Sequence, residues 1–199
     1  LWAKSEGMIH NFSLNRKDIK AIIWGFAIIF LMGLIGSNLM LLTHTNYHAE
    51  LQKTLTTIPI LPVAIGMMTT AFLQEILFRK WIFTWLAPYS KTAVLVSTGL
   101  FCLFHMPTNL AYLTHYIGMG LALSMVYQKR ENLSASITLH VLWNLYTLGA
   151  TILVMTNPMW LRIFSQFFIT FKILSIKKSE ALTSDFFVLI KDRVIWTTR

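Results

Sequence analysis

Glu75, Arg79, His105, His140 and Asn144 each set a proton-handling or hydrogen-bonding group in an apolar stretch of this chain. Glu75 and Arg79 lie in "LQEILFRKWIF" (73–83), His105 closes "FCLFH" (101–105), and His140 and Asn144 bound "HVLWN" (140–144). Each pair, including Phe101 with His105, is spaced i, i+4 and so shares one helix face. A carboxylate and two imidazoles can activate water, directly as a general base or through a divalent metal such as zinc. Glu75, His105 and His140 are the candidate ligands for such a metal. The Asn144 amide can donate a hydrogen bond to a developing oxyanion.

Taken singly, each pair also reads as plain packing. Glu75 with Arg79 would be a buried ion pair, His140 with Asn144 an interhelical hydrogen bond, and His105 an interface residue. A charge at the centre of a membrane helix costs about 2.5–3.5 kcal/mol on the insertion scale, and pairing lowers that. Three polar faces on three separate apolar segments point together to a site in a bundle core.

The elements that hold these residues are expected to be membrane helices. The chain is 55% hydrophobic and only 13% charged, with a mean hydropathy of +0.59. A soluble domain carries about a quarter charged residues. Apolar runs predict spans over 20–42, 57–86, 91–106, 109–127 and 133–155, most near the ~20 residues that cross the hydrocarbon. A sixth run, 159–176, contains Arg162 and Lys172 and reads equally as a span or as a helix lying at the interface. The expected fold is all-α, a polytopic transmembrane helix bundle of five to six spans. Residues 1–56 hold the N-terminal segment and first helix, 57–155 the core with the three motifs, and 156–199 the sixth-helix candidate and a basic tail.

The net charge of +9 fits a membrane protein better than a nucleic-acid partner. Arg16, Lys17 and Lys20 precede the first span, Arg79, Lys80 and Lys91 surround the turn after the second, and Lys129 and Arg130 follow the fourth. These positions alternate, so they share one side. The opposite loops, 43–56 and 106–109, hold only Lys53. The expectation is a multi-pass protein of the cell membrane with its N-terminus in the cytoplasm. The single cysteine, Cys102, excludes an intrachain disulfide and a cysteine metal cluster. No HExxH zinc helix, phosphate loop or internal repeat is present. Gly33/Gly36 and Gly118/Gly120 read as close-packing positions between helices.

Together, "QEILFR" (74–79), "FCLFH" and "HVLWN" resemble the signature of the CAAX protease and bacteriocin-processing family, also called Abi, of intramembrane proteases. That signature runs Glu-Glu-x-x-x-Arg, Phe-x-x-x-His, His-x-x-x-Asn. The resemblance covers about residues 57–155. It implies a helix bundle whose active site opens toward the cytoplasm and which cleaves a peptide at the membrane. The implied substrate is a prenylated C-terminus or a bacteriocin-type leader. It also implies roles: His105 as water-activating partner, His140 and Asn144 as oxyanion pair, Glu75 and Arg79 as their support. Both metal-dependent and metal-free mechanisms are associated with the family.

One departure bears on chemistry. Gln74 stands where the signature has its first Glu, and an amide cannot take a proton from water. Either Glu75 serves as base, which needs a shifted helix because neighbouring residues point about 100° apart, or the protein is weakly active or inactive and acts as a bacteriocin immunity or partner-binding protein. Lys80 is a smaller departure, where the family often has Gly.

Overall fold

The computed structural model describes residues 13–43 and 49–157. Among these are six helices and no strand: α1 (Arg16–Thr43), α2 (Ala49–Thr57), α3 (Ile60–Trp85), α4 (Ser90–Phe104), α5 (Leu110–Arg130) and α6 (Leu133–Thr156). The predicted run 159–176 and the tail lie outside the described residues.

Helices α1, α3, α5 and α6 are long and apolar enough to cross a membrane. Helix α4 is apolar but has 15 residues, shorter than the span expected over 91–106. His105, Met106 and Pro107 end it. Met106 takes a left-handed conformation (φ 43°), and the residue before a proline avoids the helical region. The loop expected over 43–56 contains α2 instead. Its sequence, "AELQKTLTT", is rich in good helix formers and sets Leu51 and Leu55 one turn apart. Pro59 separates α2 from α3 with its backbone fixed near φ −55°.

The start of α1 is tied to the turn between α5 and α6. Asn15 accepts from the backbone N–H groups of Lys17 and Asp18 (2.9 and 3.0 Å), and Asp18 accepts from that of Asn15 (3.0 Å), a reciprocal cap. Arg130 Nε then donates to Asp18 at 2.7 Å and Asn132 Nδ2 at 3.2 Å. The α5–α6 connection is short because Glu131 adopts a left-handed conformation (φ 49°). Basic residues 16–20 and 129–130 therefore gather at one end of the bundle.

Ile22, Ile29, Phe78, Phe101, Leu123, Leu139 and Trp143 form the interior. Trp24, Leu61, Leu95 and Leu103 point outward, as a lipid-facing surface requires. Two of the predicted close-packing glycines face backbone or side chains at near contact. A methyl on Gly36 would lie 3.0 Å from the Ala111 carbonyl, and one on Gly120 would lie 3.0 Å from Thr98. A methyl on Gly118 would collide with Met32.

Candidate active site

Helix α3 widens into a π-helical turn over Ile76–Trp81, immediately after Glu75. The wider turn lets Phe78 and Arg79 both face the interior. Such turns disturb the backbone ladder and recur at functional sites. A helix in lipid must satisfy its carbonyls within the protein. Here Ser97 of α4 donates to the Phe78 carbonyl at 2.6 Å, and Ser124 of α5 donates to Ser97 at 3.2 Å.

Glu75 is fully buried. Its Oε1 meets Arg79 Nη1 at 3.1 Å and accepts from His140 Nδ1 at 2.8 Å. The Ser136 hydroxyl donates to Oε2. The Arg79 contact is an ion pair rather than an aligned hydrogen bond. Arg79 is held further by the Gly120 carbonyl (Nη2, 3.3 Å) and by the Phe101 ring, 4.6 Å below its guanidinium carbon. Gly120 is thus both a close-packing position and the source of this acceptor.

In front of this cluster lies a cavity of about 540 Å³. Gln74, His105, His140 and Asn144 line it, with His115 and Tyr116 of α5. Its outer lining comes from Thr54, Ile58 and the first half of α3, so it occupies the half of the bundle toward α2 and the 105–109 turn. His105 Nδ1 lies 2.8 Å from the Phe101 carbonyl. A carbonyl only accepts, so Nδ1 carries a proton and Nε2 keeps its lone pair. The His105 ring sits between Phe101 and Tyr116, both centroids 4.4 Å away. His140 Nδ1 donates to the Glu75 carboxylate, which fixes that ring as well. Asn144 Nδ2 spends one N–H on the Met67 carbonyl at 3.1 Å and has a second to give.

The structure brings Gln74, His105, His140 and Asn144 to one cavity, and Arg79 and Phe101 behind them. It does not bring Glu75 to the cavity. This placement does not favour the reading of Glu75 as catalytic base: the side chain is buried, both oxygens are engaged, and Gln74 holds the cavity-facing position. The expected metal set of Glu75, His105 and His140 does not fit either. Among the described residues no group of three His, Cys, Asp or Glu side chains is arranged to hold an ion. The Nδ1 edges of both histidines are committed to carbonyl or carboxylate acceptors. The expectations of a cytoplasmic basic end and a cytoplasmic cavity also part company, because the cavity lies in the half away from Lys17, Lys20 and Arg130.

His115, Tyr116 and Ser136 escaped the sequence reading. Ser136 was findable, since Ser136, His140 and Asn144 follow one another at i, i+4, i+8 along α6. His115 is a polar residue in an apolar span, the same signal that marks His140.

A family model described as "Type II CAAX prenyl endopeptidase Rce1-like" matches residues 56–146, the stretch that carries all three motifs. A curated relative, UPF0177 protein YvdC of Lactococcus lactis subsp. lactis (strain IL1403), is 33% identical over 135 residues. That alignment takes in 64% of this chain and 51% of the relative, so the chain spans about half the relative's length. No solved structure matches.

Proposed function

We propose that this chain, whose residues 56–146 match the Rce1-like CAAX prenyl endopeptidase model, is an intramembrane endopeptidase of the CAAX protease and bacteriocin-processing family that cleaves a peptide at the membrane with activated water. One observation carries the reading: two imidazoles and an amide meet in one cavity with their other edges already anchored. An anchored group needs no reorganisation when charge develops, which is the source of most electrostatic catalysis.

The two histidines divide the labour by their partners. His105 donates to a neutral carbonyl, so its Nε2 is the lone pair that takes a proton from water. The hydroxide formed attacks the scissile carbonyl carbon, and that carbonyl oxygen becomes an oxyanion. His140 has a carboxylate behind it, so a second proton on its Nε2 gives an imidazolium paired with Glu75. That N–H and the second N–H of Asn144 are the donors to the oxyanion. Collapse of the tetrahedral species breaks the C–N bond, and His105 returns its proton to the leaving amine. Glu75, Arg79 and Ser136 position His140 and do not touch the substrate. No step runs through a metal.

Gln74 favours a second reading. It faces the cavity where the family signature has its first Glu, so the site lacks that carboxylate base. On this reading the protein is a switched-off member that binds a partner, such as a bacteriocin immunity protein. Cleavage of prenylated and bacteriocin-leader peptides by protein in lipid, read by mass spectrometry, separates the two. If wild type cleaves and His105→Ala does not, the imidazole mechanism stands. If only Gln74→Glu cleaves, the second reading replaces it.

A further inference from the structure

A second cavity, about 380 Å³, runs between α1 and α5 on the opposite half of the bundle. Its rim and its floor have different chemistry. Lys17, Lys20, Lys129 and Arg130 stand at one end. Helices α1 and α5 enter this end from opposite directions, so the first turns of one and the last turn of the other supply these cations. From there the groove continues between Trp24 and Ile28 on one wall and Met125 on the other, over Ala21. Trp24 is 72% exposed and lies about two turns beyond Lys17 along α1. An aromatic at that depth marks a membrane interface.

The four cations are not equivalent. Arg130 is spent on Asp18 at 2.7 Å. Lys17, Lys20 and Lys129 are exposed and have no acidic partner among the described residues. Three uncompensated ammonium groups at the mouth of an apolar groove complement a molecule with an anionic head and a hydrocarbon tail. A soluble anion would use the lysines and leave the floor uncovered, and a neutral lipid would do the reverse. We propose that the α1–α5 groove is a binding site for one anionic phospholipid, its phosphate on Lys17, Lys20 and Lys129 and an acyl chain along Ala21, Trp24 and Met125.

The full chain in detergent, titrated with phosphatidylglycerol and followed by native mass spectrometry, tests this. One phosphatidylglycerol is expected to stay bound per chain, with phosphatidylcholine held more weakly. Replacing Lys17, Lys20 and Lys129 by Gln should weaken retention by a factor of about five per lysine. Lys53→Gln with Lys91→Gln, which lie outside the groove, should change nothing. Ala21→Phe keeps every charge but fills the floor, and should also release the lipid. If Ala21→Phe does not fold, as judged by circular dichroism, Met125→Phe at a half-exposed wall position replaces it. Equal loss in the Lys53/Lys91 pair would show only diffuse attraction between charges and overturn the site. So would equal retention of phosphatidylcholine, displacement of the lipid by glycerol phosphate at matched concentration, or full retention by the groove-filled variants.

Discussion

Asp18 and Glu75 are both fully buried, and each faces an arginine, but their surroundings differ. Asp18 gathers its partners from helix ends: the Asn15 amide, Arg130 and Asn132. Arg130 keeps 20% of its side chain in contact with the outside. The cluster closes one end of the bundle, and its Arg130 borders the α1–α5 groove rather than the polar cavity. Glu75 takes partners from within α3 and α6, and its arginine is wholly enclosed. One of those partners, His140, has its other edge on a cavity. Burial and pairing are therefore common to both networks and do not by themselves mark function. What separates them is a titratable ring that carries the influence of a buried carboxylate to a space a substrate can enter.

The comparison can be broken most directly at Arg79. Arg79→Ala leaves Glu75 in the bundle interior with only His140 and Ser136 for support. Removing one partner of a buried ion pair typically destabilises by about 3–5 kcal/mol. Folded yield and the thermal midpoint in detergent should both drop sharply. Normal values would show that the Glu75 pair is no more enclosed than the Asp18 pair, and the contrast would fail.

Ser136→Ala is a smaller cut in the same network. It removes the hydroxyl that donates to Glu75 Oε2 and leaves a buried acceptor unmade, at about 1–3 kcal/mol. Because Glu75 also fixes His140, peptide cleavage should slow along with the loss of stability. Ser136→Thr keeps the hydroxyl and should recover both. Lost stability with unchanged cleavage would mean that Glu75 supports packing but not the imidazole.

The polar residues at the centre of the cavity were readable before the fold was known. His105, His140 and Asn144 stand out because polar groups in lipid-length apolar runs are expensive, and their i, i+4 spacing survives folding. Which of Gln74 and Glu75 faces the cavity was not readable. That choice depends on the widened turn after Glu75 and on Ser97, which reaches the Phe78 carbonyl from another helix. Local spacing holds no trace of such a contact. The length of α4 was nearly readable, since the run expected over 91–106 already stops at Met106 and the helix ends two residues earlier, at Phe104. Asp18 was passed over for a different reason. It sits at the edge of a span, where a charge is unremarkable, and its partner Arg130 is 112 residues away.

Asp18→Asn gives the smallest and most discriminating change. The amide keeps the volume and can still accept from Arg130. Its NH₂, however, faces the Asn15 amide and the Asn132 side chain, both donors. The Asn15 N–H bond to Asp18, one half of the reciprocal cap at the start of α1, is lost, at a cost of about 1 kcal/mol for a helix terminus. Arg130 keeps 20% of its side chain exposed, so water compensates much of its lost charge pairing. The thermal midpoint should fall slightly, and peptide cleavage should keep its wild-type rate because no partner of Asp18 lines the cavity. A fall in stability as large as that of Arg79→Ala would make the two carboxylates equivalent. A fall in cleavage without a fall in stability would mean that the basic end and the cavity are coupled along α1 or α5, and that the separation drawn between them is wrong.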